Sequence, residues 1–384
     1  MTDNINSINN QKRTKGQFGL LLKKETGLII ALVVFALFPF VFAWLTGGSP
    51  TEGPSKYWQS QLINFFILAV FAMSYDLLMG YTGILSFGHA AFYGGGAYAI
   101  SIFYKHIVPG WLENGFHVSI GSLDLTQAVI FIIALLIVIL VVVLLGFLFT
   151  AVSIRVKGVY FAMITLAIAN AIYMISKATD FVKWTGADEG LHGVPFPEWI
   201  NPNSHRLLFY FITLLFLVLM YLVMRRIVNS PTGKVLIAIR ENEGRVNMIG
   251  YNPAVYRSIA FMISGLVAGL AGALNAIFNL GATPAMTSAS PTINALIITI
   301  LGGMGTLVGP ILGAGIWQFI SQFFFDWFGP RWPLVFGVLF VLIVMFLPYG
   351  IVGTYRMRKL GWVQAWKQGW QKITSMFKTK NNPK

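Results

Sequence analysis

The stretch from Gln127 to Val152 runs for 26 residues without a charged side chain. As a helix it would extend roughly 39 Å, longer than the ~30 Å hydrocarbon core of a bilayer. Such a segment has two stable surroundings, lipid or the interior of a large protein. Nine further apolar runs decide between them: Gly27–Thr46, Gln61–Met79, Leu85–Tyr104, Val159–Ser176, Leu207–Met224, Ser258–Leu280, Pro291–Leu301, Leu307–Phe325 and Pro333–Val352. Soluble domains carry roughly 25% charged residues; here 10% are charged and 56% hydrophobic, too little polar material to coat a soluble particle. The expected fold is an all-α polytopic membrane protein with about ten transmembrane helices. The run Pro291–Leu301 is too short to span alone. It forms either a tilted or broken helix, or a re-entrant pair with the next run around Gly302–Gly305.

Charge placement orients these spans. With the N-terminus inside and ten crossings, 21 of the 27 basic residues fall on the inner side and 8 of the 13 acids fall outside. Both termini are then cytoplasmic. Residues 1–26 form an N-terminal tail, 27–353 the transmembrane domain and 354–384 a basic C-terminal tail. The long loops are 225–257 inside and 177–205 outside. The net charge of +14 is thus topology plus a basic tail beside anionic lipid, and calls for no nucleic acid. The first apolar run lacks a small-residue cleavage site and is expected to be retained. Without cysteine, the chain has no thiol or disulfide chemistry.

One charged island interrupts the apolar chain, Ser230–Asn252. Ser230 is a good N-cap, and Pro231 suits the first helical position ahead of Gly233. Val235, Leu236, Ile239, Val246 and Ile249 predict an apolar stripe, with Lys234, Arg240, Glu241 and Arg245 facing elsewhere. Gly244 is expected to interrupt this helix, and Gly250 to end it in a left-handed cap. A helix resting on headgroups would be chiefly basic; Glu241 and Asn242 suit a protein partner better.

Two glycine-rich turns are the other punctuation. Gly80–Gly96, GYTGILSFGHAAFYGGG, joins the second and third runs; Leu301–Gly315, LGGMGTLVGPILGAG, opens the ninth. Such backbone is tolerated within a membrane where it is buried in protein or lines a cavity. The first turn is either a site of tight packing or a broken helix lining a solute path. Ser86, His89, Tyr93, Thr165 and Asn170 are the candidate path residues. Gly305, Gly309 and Gly313 recur every fourth residue and read as a helix-packing face, as do Gly265 and Gly269. Asp76, the single acid within a run, either serves a pathway or, near the inner end, reaches water or caps neighbouring backbone.

Some chemistry is excluded. A phosphate-cradling loop needs G-x-x-x-x-G-K-[ST], whereas Gly233-Lys234 is followed by Val235. There is no His/Glu metal pair, and no nucleophile–base pair can be drawn from the intramembrane polar residues. The chain is not expected to hydrolyse ATP or to hold a cofactor.

Four stretches, GYTGILSFGHAAFYGGGAY, VKGVYFAMITLAIA, SPTGKVLIAIRENEGRVNMIGYN with FMISGLVAGLAGAL, and LGGMGTLVGPILGA, resemble the LivM-type permease subunits of branched-chain amino-acid ABC transporters. The resemblance covers most of the chain between Leu62 and Phe325, in the family's order. It implies a multi-pass protein of the bacterial cytoplasmic (inner) membrane. It also implies partners: a second, LivH-type permease, two ATPase subunits that use ATP and Mg, and an extracytoplasmic solute-binding protein. The segment holding Ser230, Pro231, Gly233, Arg240, Glu241, Asn242 and Gly250 would then engage an ATPase. Trp184, Thr185, Asp188 and Glu189 in loop 177–205 would meet the binding protein. That loop departs from the family's T-G-G-x-x-G-L, with Ala187 for the second glycine. Permeases for urea or short-chain amides share the architecture; an ion-coupled transporter using Asp76 and His89 is the alternative of another class.

Overall fold

The computed structural model describes residues 27, 30–47, 49, 53–115, 119–120, 123–156, 158–347 and 349–355. The tail 1–26 lies outside the described residues, as does 356–384 of the basic C-terminal tail. The chain is a helical bundle. In order it forms α1 (Ile30–Thr46), α2 (Gly53–Asp76), α3 (His89–Ile102), a short α4 (Val108–Glu113), α5 (Thr126–Arg155) and α6 (Val159–Lys177). A one-turn α7 (Val182–Thr185) precedes α8 (Arg206–Asn229), α9 (Pro231–Met248), α10 (Pro253–Phe278), α11 (Ala289–Gly302), α12 (Val308–Phe328) and α13 (Trp332–Phe346). The ten apolar runs are helical over most of their lengths. Among the described residues, six segments are long and apolar enough to cross a membrane by length and composition. The 14 residues of α11 span about 21 Å, less than a bilayer core.

Burial sorts these helices into an axis and a shell. From Leu62 to Leu78 nearly every residue of α2 and its continuation is buried, as expected of a helix apolar all round. Helices α8, α10, α11 and α12 pack around it, and α3 and α5 close on α10. Helix α5 has two apolar stripes. Ile130, Ala134, Val138 and Val142 face inward, while Leu136, Leu140 and Leu144 on the other face are each 59% exposed. An exposed leucine ridge of that length suits lipid and not water. Helix α1 is tied to the bundle by the Tyr210 hydroxyl, which donates to the Phe35 carbonyl at 2.6 Å, and by an edge-on Phe35–Phe66 contact at 5.4 Å.

Glycine brings backbones together at two crossings. A Cβ at Gly96 would overlap the Gly269 carbonyl, and one at Gly272 the Tyr93 carbonyl. At the second crossing, a Cβ at Gly302 would strike the Gly309 carbonyl, and one at Gly313 the Ile298 carbonyl. Gly309 and Gly313 are therefore packing positions, as is Gly269 of the Gly265/Gly269 pair; Gly265 is filled by the Phe92 ring. Gly305 lies before α12 and belongs to a turn instead, at φ +71°.

Candidate functional site

Helix α9 follows α8 after a single residue. Ser230 stands at the junction in extended backbone, and its Oγ accepts from the Gly233 N–H at 3.3 Å while donating to the Ile227 carbonyl at 2.6 Å. Gly233 packs against the carbonyls that end α8, leaving no room for a Cβ. The far end closes as the residue pattern predicts. Gly250 has φ +92°, its N–H donates to the Asn247 carbonyl at 3.1 Å, and Tyr251 N–H donates to Val246 at 3.3 Å, a Schellman cap.

The interruption falls at Asn242 and not at Gly244. Asn242 adopts φ −160°, ψ 99°, and its Oδ1 accepts from the Arg245 N–H at 3.0 Å. It is thus the N-cap of a second half-helix. The break resets the helical phase. Leu236, Ile239 and Val246 are buried, but Ile249, expected on the apolar stripe, is 70% exposed beside Met248 at 86%. Lys234, Glu241, Asn242 and Arg245 are exposed. Arg240 is exposed too, but unlike them its guanidinium reaches inward and donates to the Gly80 carbonyl. Arg257 of α10 pairs with Glu243 and ties the second half-helix down.

Two breaks in the bundle lie under α9. In the first, α2 continues as a π-helix over Leu77–Thr82, ends at Gly83 with φ +70°, and the chain runs non-helically to α3. The opening N–H groups of α3 have no helical partners. Thr292 Oγ1 of α11 accepts from one of them, Ala90, at 2.7 Å, and the two N–H groups just before the helix are met by Ser86 Oγ, from Gly88 at 3.2 Å, and Thr165 Oγ1 of α6, from Phe87 at 3.2 Å. Ser86 and Thr165 are buried and engaged with backbone. His89 is also buried. Its Nε2 meets Ser74 Oγ at 2.8 Å, and that hydroxyl also lies 2.6 Å from the Phe71 carbonyl. Its Nδ1 has no partner among the described residues. Tyr93 packs on Phe71 with ring centroids 4.6 Å apart. Asn170 alone of these five is exposed, on the same α6 face as Met163, Ala167 and Met174.

The second break is the turn Gly303–Leu307, capped by a carboxylate from α2. Asp76 Oδ1 accepts from the Gly305 N–H at 2.7 Å and Oδ2 from the Leu307 N–H at 3.3 Å. Leu307 sits at φ +54°, a conformation costing a non-glycine residue roughly 1–2 kcal/mol, so the carboxylate holds a strained turn. Asp76 is wholly buried, which leaves backbone capping and not contact with water. Asp76→Asn would set an amide N–H₂ against one of the two N–H donors. The expected loss is about 1–3 kcal/mol, read as a lowered unfolding midpoint in detergent. An unchanged midpoint would remove the cap from the account.

At the opposite end, the 177–205 segment is a built loop. Asp188 pairs with Lys177 at 2.8 Å, the Thr185 hydroxyl accepts from Ala187 N–H at 3.2 Å, and Leu191–His192 pairs antiparallel with Gly281–Ala282 after α10. Gly186 and Ala187 are both left-handed, at φ +75° and +48°. Alanine thus stands where a glycine would carry no Cβ penalty. Trp184 and Glu189 are exposed, and Trp184 lies 5.2 Å from the His106 ring. Burial first, then the neighbouring Lys105 and Lys183, hold His106 below its ordinary pKa. No cluster of His, Asp or Glu that could hold a metal occurs among the described residues.

Residues 59–347 match the family described as the permease component of branched-chain amino acid transport systems. The chain is 24% identical to the LivM permease protein of the high-affinity branched-chain amino acid transport system of Salmonella typhimurium, over 87% of this chain and 76% of that one. It is 26% identical to a probable LivM branched-chain amino acid transport permease protein of Methanocaldococcus jannaschii, over 76% of this chain and 92% of that one. A shorter likeness, 26% identity over 34% of this chain and 37% of the other, links it to the ribose import permease protein RbsC of Haemophilus influenzae. No solved structure matches it. The family match spans both broken turns, α9 and the glycine crossings, and the chain belongs to the permease components of branched-chain amino acid transport systems.

Proposed function

We propose that this chain forms half of the translocation path of an ATP-driven importer of the bacterial cytoplasmic membrane, with branched-chain amino acids as cargo. A second permease of the LivH type supplies the other half, two ATPase subunits bind and hydrolyse Mg-ATP, and an extracytoplasmic binding protein delivers the solute. The observation that carries this reading is α9, a helix capped at both ends whose exposed face mixes Lys234, Glu241, Asn242 and Arg245 with Met248 and Ile249. It is rigidly mounted and unlike a headgroup-binding surface. Its end of the bundle is then cytoplasmic, in agreement with the six basic residues from Arg225 to Arg257. The loop containing Trp184, Thr185, Asp188 and Glu189 faces the binding protein.

The path runs along α6. An asparagine directed at lipid is costly, so the Met163–Ala167–Asn170–Met174 face is assigned to the second permease and the channel between them. A cleft of about 370 Å³ between Gly83, Val159, Phe161, Ile239 and Arg240 lies at the α9 end of this face and serves as its inner mouth. Asp76 is occupied in capping backbone, which disfavours an ion-coupling role. The test is leucine uptake into proteoliposomes holding the four-subunit complex. Uptake should require both ATP and the loaded binding protein. Uptake by the chain alone under an ion gradient would overturn the proposal.

A further inference from the structure

Arg240 of α9 bonds into the breaks beneath. Its guanidinium donates to the Gly80 carbonyl in the last turn of the π-helix. Its stem fills the space under Gly83, where a Cβ would stand 3.0 Å from its Cγ. Its Nη1 would lie 3.3 Å from a Cβ at Gly305. Gly80 and Gly305 touch in turn, since a Cβ at Gly80 would come 2.5 Å from the Gly305 nitrogen. Asp76 completes the set. It belongs to α2, holds the Gly305–Leu307 turn through both carboxylate oxygens, and lies near enough to Arg240 to act on it electrostatically.

One guanidinium thus bonds α9 to the end of the axial helix and lies against Gly305 in the turn before α12, a turn that Asp76 ties to the same axial helix across more than 220 residues of sequence. The first joint is in the π-helical turn that ends at Gly83, and the second in a non-helical turn, both places where the regular α-helical ladder of hydrogen bonds is already interrupted and a helix can pivot. Both are at glycine, where backbone can approach backbone.

From this geometry we infer that Arg240 is a positioning residue that transmits displacement of α9 to the Gly80–Gly83 and Gly303–Leu307 turns together, with Asp76 locking the two turns into one body. The inference rests on the proposed coupling to ATPase subunits but separates Arg240 from the docking face. Docking belongs to the outward side chains, transmission to the inward one. Loss of Arg240 therefore uncouples the machine without dismantling it.

The test uses the complete transporter in proteoliposomes, comparing wild type, Arg240→Ala and Arg240→Lys. The readouts are ATPase subunits retained, ATP hydrolysed and labelled leucine imported. Arg240→Ala is expected to keep the ATPase subunits and to hydrolyse ATP within about twofold of wild type, while import falls at least tenfold. Arg240→Lys, which can still reach the Gly80 carbonyl with one donor, is expected to recover import to within about threefold. Loss of the ATPase subunits from Arg240→Ala would show a docking role and overturn the relay, as would a parallel fall of hydrolysis and import. Import equal to wild type would overturn it too, leaving the proposed function intact. A wild-type complex without ATP-driven import would overturn that function and the relay together.

Discussion

Aspartate at both Met248 and Ile249 is expected to release the ATPase subunits from the transporter, weakening their attachment at least ~100-fold. These two side chains, 86% and 70% exposed, form an apolar knob at the end of α9. The Schellman cap at Gly250 and the Arg257–Glu243 pair fix it in place. A rigid exposed apolar pair beside Arg245 and Asn247 suits an interface hot spot, where truncation costs about 2 kcal/mol or more. Carboxylates there would add the cost of burying unpaired charge. Neither side chain packs inward, so the stability of the isolated chain should change by less than about 0.5 kcal/mol. The measurement is co-purification of tagged ATPase subunits, with Met248→Leu as a control that keeps the knob. Undiminished recovery with the double aspartate chain would leave α9 as a helix resting on headgroups.

Why these two residues escape a reading of the sequence is instructive. The stripe through Val235, Leu236 and Ile239, extended at 3.6 residues per turn, places Ile249 inward. That extrapolation assumes one continuous helix. The signal for a break was present in Asn242, a preferred N-cap residue followed by an acid in the first turn, but the nearby Gly244 looked the stronger breaker. The caps at Ser230 and Gly250 were legible because each depends on its own residue and immediate neighbours. So were the apolar runs and the packing face of Gly309 and Gly313, which follow from composition and period. What could not be read was the Asp76–Gly305 cap and the Arg240–Gly80 bond. Their partners lie 229 and 160 residues away, and no local pattern announces a long-range partner. The hydroxyls of Ser86 and Thr165 show the same limit. Each suits a solute path by type, yet each is engaged with an N–H at the start of a broken helix.

Leucine at Gly272 is expected to abolish the folded bundle, while alanine at Gly337 is expected to be harmless. The contrast isolates what glycine does at the α3–α10 crossing. At Gly272 a Cβ would occupy the position of the Tyr93 carbonyl oxygen. The obstacle is backbone inside a helix, which has no rotamer to change, so relief requires α3 and α10 to separate. Separation would open the neighbouring contact of Gly96 on Gly269 and unseat Phe92, whose ring fills the hollow at Gly265. Insertions into well-packed cores typically cost 1–3 kcal/mol when side chains can give way. Here they cannot, and the expected cost exceeds about 4–5 kcal/mol, in the exceptional tail of single substitutions and comparable with the whole stability of many domains. At Gly337, on α13, a Cβ would meet nothing within 4 Å. Alanine there should gain the roughly 1 kcal/mol of helix propensity that glycine forgoes. The measurement is the yield of monodisperse protein in detergent and its unfolding midpoint. Gly272→Leu should yield aggregate, Gly272→Ala a lowered midpoint and Gly337→Ala a midpoint unchanged or raised. A well-folded Gly272→Leu chain would mean that α3 and α10 do not meet backbone to backbone, and that the glycine series marks a cavity instead of a contact.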